Sequence, residues 1–223
     1  MRSAAASSYA RVGCYIHDNA SPVDATAGSA LTIGPDNEIA RSEGDGIFLN
    51  PADSVIKNNF IHDVAGSCIR TGATASGLAI TDNLFVRPGN FGVRLLSDTI
   101  QVWHNTFVGG QNAVNLGNVT GIDLRNNIFY GASGYALEAT PSQFSQQDYN
   151  LFFGSGGVCS GCAAGGNSVL ADPLFVNAAG DDYRLAPGSP AIDAGANLGL
   201  DVNGARPDTF NGAAPDLGYS ETE

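Results

Sequence analysis

The sequence predicts an all-β solenoid, a parallel β-helix of about seven coils of 22–24 residues. Three features predict it: an asparagine that returns at near-constant spacing, a two-residue alternation around each return, and an excess of glycine. Asn59, in "VIKNNFIHD", has counterparts at Asn37, Asn83, Asn105, Asn127 and Asn150, and Cys14 holds the same place one coil earlier. The successive spacings are 23, 22, 24, 22, 22 and 23 residues. Two residues past each mark stand Ile16, Ile39, Ile61, Phe85, Phe107, Phe129 and Phe152, always large and apolar. Three before it stand Ile56, Ile80, Val102 and Leu124, and five before it Leu78, Ile100 and Ile122. That alternation marks strands with one face buried. The 29 glycines in 223 residues are nearly twice the usual share of about 7%, as expected of a chain that turns often.

A third short strand follows about ten residues past each mark, with inward residues Ile47, Ile69, Val93, Val114 and Leu137. Three strands in so short a repeat leave no room for a crossover helix, which excludes a βαβ sheet. A propeller blade needs about 40 residues, and leucine-rich and ankyrin repeats carry other signatures. Coils stacked directly on one another remain. Each adds one strand spacing of about 4.8 Å, so seven coils make a rod on the order of 30 Å long. The marked column then has a structural task. Stacked asparagine amides donate from one coil to the carbonyl of the next, satisfying groups that a narrow core would otherwise leave unpaired. A thiol cannot continue that chain, so the ladder of Asn37, Asn59, Asn83, Asn105, Asn127 and Asn150 is expected to end before Cys14.

The coils occupy residues 1–153. The first is irregular: "ASPVDATAGSALTIGP" offers one apolar strand, Leu31 to Ile33, within a turn-rich stretch that reads as a side loop. Residues 1–12 supply no apolar stretch of a signal peptide, which fits either an intracellular protein or a piece of a longer secreted chain; the lack of a strong cap points to missing amino-terminal coils. Residues 154–170 form a Gly-rich loop. In it Cys159 and Cys162 are spaced for a short-loop disulfide or for half of a zinc site. Residues 171–223 hold the last strands and a cap, in which Leu174, Phe175, Leu185, Ile192 and Leu217 are expected to cover the open end. Aspartates among backbone carbonyls there allow a structural Ca2+ ion; no other cofactor is implied.

The tail carries a resemblance. Asp172-Pro173-Leu174-Phe175-Val176, then Asp182-Tyr183-Arg184-Leu185, then Pro187-Gly188-Ser189-Pro190-Ala191-Ile192-Asp193-Ala194-Gly195 resembles the end of secreted bacterial right-handed parallel β-helix proteins of the pectate-lyase-like superfamily. Those close with an Asp-x-Gly-x-x-Glu pattern, which Asp216-Leu217-Gly218-Tyr219-Ser220-Glu221 matches in broad form. The resemblance, over roughly residues 40–221, implies a right-handed coil, as does the crossover rule. It also implies a secreted or cell-surface location. It does not choose a substrate, because the group mixes polysaccharide lyases, hydrolases, epimerases and proteins without known activity.

Ten basic against 22 acidic residues give a net charge of −12. That weighs heavily against a nucleic-acid or anionic-membrane partner, which needs positive charge, so no nucleic-acid partner is expected. No run of 18 apolar residues spans a bilayer. A β-helix offers instead the outer face of one sheet, which can hold an acidic or neutral polysaccharide. The outward column of the third strand reads Phe48, Arg70, Arg94, Asn115, Glu138. A lyase needs a base and a group that neutralises a uronate carboxylate. Arg70, Arg94, Lys57 and Glu138 are the catalytic candidates, with Phe48, Asn115, Trp103, His104 and Arg125 binding substrate and His62 and Tyr130 flanking. The plain alternative is that exposed arginines on a sheet are solvated charge. Hydrolysis needs paired carboxylates about 5–9.5 Å apart, and Asp45, Asp82, Asp98, Asp123 and Glu138 share no column. His17 and His62, two coils apart, are too distant for one metal. The reading is a non-catalytic module with a polysaccharide-binding or structural surface. The alternative is a polysaccharide lyase, or a fragment of one, acting by β-elimination.

Overall fold

A computed structural model describes residues 10–11, 13–20, 22–202 and 209–222; the expectation for residues 1–12 falls largely outside them. The chain winds through three seven-stranded parallel sheets, each coil giving one strand to each sheet. The first sheet runs Ala10–Arg11, Thr32–Ile33, Val55–Lys57, Ala79–Thr81, Gln101–Trp103, Ile122–Arg125 and Phe144–Asp148. The second runs Tyr15–His17, Asn37–Ala40, Asn59–His62, Leu84–Val86, Thr106–Val108, Ile128–Tyr130 and Leu151–Phe153. The third runs Val23–Ala25, Ile47–Leu49, Ile69–Thr71, Phe91–Leu95, Asn112–Leu116, Tyr135–Glu138 and Gly157–Cys159. The first coil is therefore regular. Val23 pairs with Ile47, so the expected side loop is a strand of the third sheet. Its single buried apolar residue left no alternation to read.

The marked residues turn the chain from the first sheet into the second. The residue before each mark carries the bend: Asp36, Asn58, Asp82, His104, Asn126 and Tyr149 have φ between 50° and 60°, a left-handed region that Asn and Asp enter most readily among non-glycine residues. Each ladder amide then donates from Nδ2 to the next Oδ1. The distances from Asn37 to Asn150 are 2.8, 2.9, 3.0, 3.1 and 3.0 Å. Each interior Nδ2 also serves carbonyls, as Asn105 does for Ile80 at 2.8 Å and Trp103 at 2.9 Å. Beyond Asn150 the Ser168 hydroxyl accepts the Asn150 N–H at 3.3 Å, and Val169 pairs with Leu151.

Beside the ladder, Phe85, Phe107, Phe129 and Phe152 stack with ring centroids 4.9, 5.0 and 5.0 Å apart. This spacing is the strand spacing itself, so the rings keep contact at no cost in register. Small residues opposite make room for them: Gly46, Cys68, Gly92, Ala113 and Ala136 precede the inward residues of the third sheet. A Cβ on Gly92 would lie 2.5 Å from Phe107 Cδ1. Ile47, Ile69, Val93, Val114 and Leu137 are fully buried, as expected.

The tail departs from expectation. Phe175–Asn177 and Asp182–Leu185 pair antiparallel, and the chain runs back over the outer face of the second sheet. Leu185, Ala191 and Leu217 bury against Ile128 and Leu151, and Tyr183 against Leu84, Val86 and Val108. Those outward positions are apolar and need cover, which is why the tail is a strap along the rod. Leu174 stays 44% exposed. Carboxylates pin the strap by accepting backbone N–H groups: Asp193 from Ala213 and Ala214, Asp216 from Asp193 and Thr222, Glu221 from Asn211 and Asp216. Gly218, at φ 96°, presses on the second sheet so closely that a Cβ would lie 2.6 Å from Thr106 Oγ1. The last coil is closed by the Gly-rich loop. Its Cys159 and Cys162 form a disulfide, with Cα atoms 5.2 Å apart, and Cys162 and Ala164 pack on the core.

Candidate functional site

Of the three outer faces, the second carries the strap. The third presents two outward columns. One is the expected row, in register from strand to strand: Phe48 beside Arg70, Arg70 beside Arg94, Arg94 beside Asn115, Asn115 beside Glu138. The other lies two residues before the inward residue of each strand and reads Asp45, Ser67, Phe91, Asn112 and Tyr135, of which Ser67 and Asn112 are buried. The sequence reasoning missed this column, although the same period would have found it.

The row is not uniform in charge. Arg70 Nε donates to Asp45 Oδ2 at 2.5 Å, and its guanidinium lies 4.4 Å above the Phe48 ring. Arg94 is exposed, sits 5.9 Å from the Phe91 ring, and forms no ion pair among the described residues. Glu138 Oε2 accepts from Asn112 Nδ2 at 2.9 Å and from Asn115 Nδ2 at 2.7 Å. Beside Glu138 a cleft of about 540 Å3 opens, lined among others by Thr120, Thr140, Ser142, Gln143 and Ser160.

Other candidates lie elsewhere. Lys57, Trp103 and Arg125 share a row of the first sheet, because they stand two residues before a ladder asparagine. Arg125 there is held by Asp123 at 2.7 and 2.6 Å. His62 and Tyr130 lie on the second sheet, His62 between Glu38 at 3.1 Å and Asp63 at 2.8 Å. His104 is not on an outer face at all. It is 2% exposed, its Nε2 lies 2.8 Å from Asn126 Nδ2, and burial beneath the strap pushes its pKa down to about 4. These residues do not join Arg70, Arg94 and Glu138. Among the described residues no three His, Cys, Asp or Glu side chains converge as metal ligands.

The sequence model for a right-handed β-helix region matches residues 7–107. The solved structure of pectate lyase Pel9A superposes on 94% of this chain and 70% of its own, with a TM-score of 0.52 at 12% identity. The fold is a right-handed parallel β-helix. At that identity the likeness concerns the fold alone. No curated protein sequence matches the chain. No helix among the described residues is long and apolar enough to cross a membrane.

Proposed function

We propose that the outer face of the third sheet is a polysaccharide-binding surface. The observation that carries it is the interleaving of Phe48, Phe91 and Tyr135 with Arg94, Asn115 and Glu138 along five strands, a reach of roughly 19 Å. Aromatic rings offer flat apolar area for the C–H face of a sugar, and the fixed amides and charges answer its hydroxyl and carboxylate groups. Tyr135, 42% exposed, is available for that contact. The pectate lyase neighbour makes a polysaccharide a reasonable class of ligand.

A second reading, β-elimination, rests on Arg94, which among the described residues is the one cation of this face without a carboxylate partner. It would neutralise a uronate carboxylate. Arg70 is already paired with Asp45, and an arginine keeps its proton at neutral pH. That leaves Glu138, two strands from Arg94 and so roughly 10 Å along the axis, as the group of the row that would have to take the proton. Binding without turnover is the reading the geometry favours.

The test is binding to a panel of acidic and neutral polysaccharides, with ultraviolet absorbance followed for unsaturated products. Arg94→Ala is expected to weaken binding of a uronate polymer about five- to tenfold, the loss of one solvent-exposed charged hydrogen-bonding group. No absorbance change is expected in either protein. Unchanged affinity in the variant would remove Arg94 from the surface. A rise in absorbance with the wild type that the variant abolishes would establish the lyase.

A further inference from the structure

The disulfide of the Gly-rich loop sits where the cap of the last coil meets the cleft beside Glu138. We infer that Cys159–Cys162 is a redox latch: a dithiol reductant opens it, frees residues 161–166 from the end of the coil stack, and draws Gly161 out of the cleft wall. The consequence for a ligand rests on the polysaccharide-binding reading; the latch itself does not.

Little else holds the cap. Ser160 is tied to the coils, its N–H donating to the Leu137 carbonyl at 2.9 Å and its hydroxyl accepting the Ala139 N–H at 3.3 Å. Asn167 is tied to Asp148 at 2.8 and 2.7 Å. Between these anchors, among the described residues, the hydrogen bonds stay inside the loop. Cys162 N–H reaches Cys159 Sγ at 3.0 Å, and Ser168 N–H reaches the Gly165 carbonyl at 3.1 Å. Beyond the disulfide, the packing of Cys162 and Ala164 on the core keeps this stretch down.

The cap also closes over a polar group. Gln147 pairs with Leu124 and takes the inward position that Ile56, Ile80, Val102 and Leu124 fill in earlier coils. Its Nε2 is buried with no hydrogen-bond partner among the described residues. Gly165 lies so close that a Cβ there would be 2.5 Å from the Gln147 carbonyl. A stranded donor favours any state in which water reaches it, so the covalent bond holds the cap against a tendency to open.

The sulfurs are placed for exchange. Both cysteines are half-buried, with Ser160, Gly161 and Ala163 exposed around them. The Cys162 N–H stabilises a thiolate on Cys159, which makes Cys159 the leaving group when a reductant thiolate attacks Cys162 Sγ. The Ala139 carbonyl lies 3.5 Å from Cys159 Sγ, where only the reduced thiol has a proton to donate. The reductant's second thiol then displaces its first from Cys162. Two electrons and two protons pass to the protein, and the reductant leaves as a cyclic disulfide. Cys159 stays on the last rung opposite Leu137, while Cys162 is released together with Gly161, which lines the cleft.

Limited proteolysis of the whole protein with elastase, which cuts after small residues such as Ala163 and Ala164, reads the cap directly. Reduction with dithiothreitol is expected to speed cleavage there about tenfold, with the far-ultraviolet circular dichroism unchanged. Cys162→Ser should be cut at the fast rate without reductant. Gln147→Leu, which removes the stranded amide, should slow cleavage of the reduced protein about threefold. A disulfide that resists dithiothreitol, equal rates in oxidised and reduced protein, or loss of the β-sheet spectrum on reduction would overturn the latch. Calorimetry with oligogalacturonate reads the cleft, and reduction should weaken binding about fivefold. Unchanged affinity with an open cap would overturn the link to the cleft. An oxidised protein that binds no polysaccharide would remove the binding surface, and the cleavage rates would still decide the latch.

Discussion

Replacing Asn105 by alanine is expected to destabilise the protein by about 3–4 kcal/mol, among the largest effects open to a single substitution outside the apolar core. Asn105 Nδ2 donates to Asn127 Oδ1, Ile80 O and Trp103 O, and its Oδ1 accepts from both the amide and the backbone N–H of Asn83. All of these groups are buried or nearly so, and alanine offers none of the partners. The cost is that of stranded donors and acceptors as much as that of lost bonds. The midpoint of urea unfolding should fall by a corresponding amount. A change below about 1 kcal/mol would mean that water takes over the vacated places and that the ladder is dispensable.

The second large effect is a dependence on pH. Asn126 Oδ1 accepts the Ala196 N–H at 2.9 Å, so its Nδ2 faces His104 and requires the imidazole Nε2 to be an acceptor. The ring must therefore be neutral, with its proton on the other nitrogen. Burial accordingly lowers its pKa from 6.5 to about 4. The unfolded chain binds this proton first as acid is added. The stability tied to His104 is whole above pH 6.5 and is lost progressively down to pH 4, reaching about 3 kcal/mol. Asp82, one coil away, works in the opposite sense. Burial raises its carboxyl to about 7, so the folded state takes up that proton first and gains stability as the pH falls from there. The two effects flatten the wild-type curve. Subtracting His104→Asn separates them, since asparagine already occupies the same left-handed bend at Asn58 and Asn126. The advantage of wild type over variant should shrink by about 3 kcal/mol between pH 7 and pH 4. An advantage that stays constant would show that His104 does not titrate with folding.

Most of the solenoid was legible in the sequence because each coil repeats the same physical problem. Asn59 and its counterparts, the Phe85 stack and the inward Val93 row recur in register, and repetition separates them from chance. The register that identified the Arg94 row also fixes Lys57, Trp103 and Arg125 on the first sheet, since they precede a ladder asparagine by two residues. What periodicity cannot reveal is contact with chain that lies outside the period. His104 occupies an outward bend, and only the strap, reaching Asn126 from Ala196 across 70 positions, buries it. The strap's own course follows from the apolar outer positions Leu84, Val108, Ile128 and Leu151. Such residues in a strand are ambiguous between core and covered surface until the covering chain is placed. Val23–Ala25 was missed for the reverse reason: a three-residue strand with one buried side chain carries no readable alternation.

Hydroxyl-radical footprinting of the protein with and without a saturating bound polysaccharide tests the central claim most directly. Phe48, Phe91 and Tyr135 should lose reactivity on binding, while Tyr15 and Trp103, on the other two sheets, should keep theirs. Protection of Tyr15 or Trp103 with Phe91 and Tyr135 unchanged would place the ligand on another face and contradict the account.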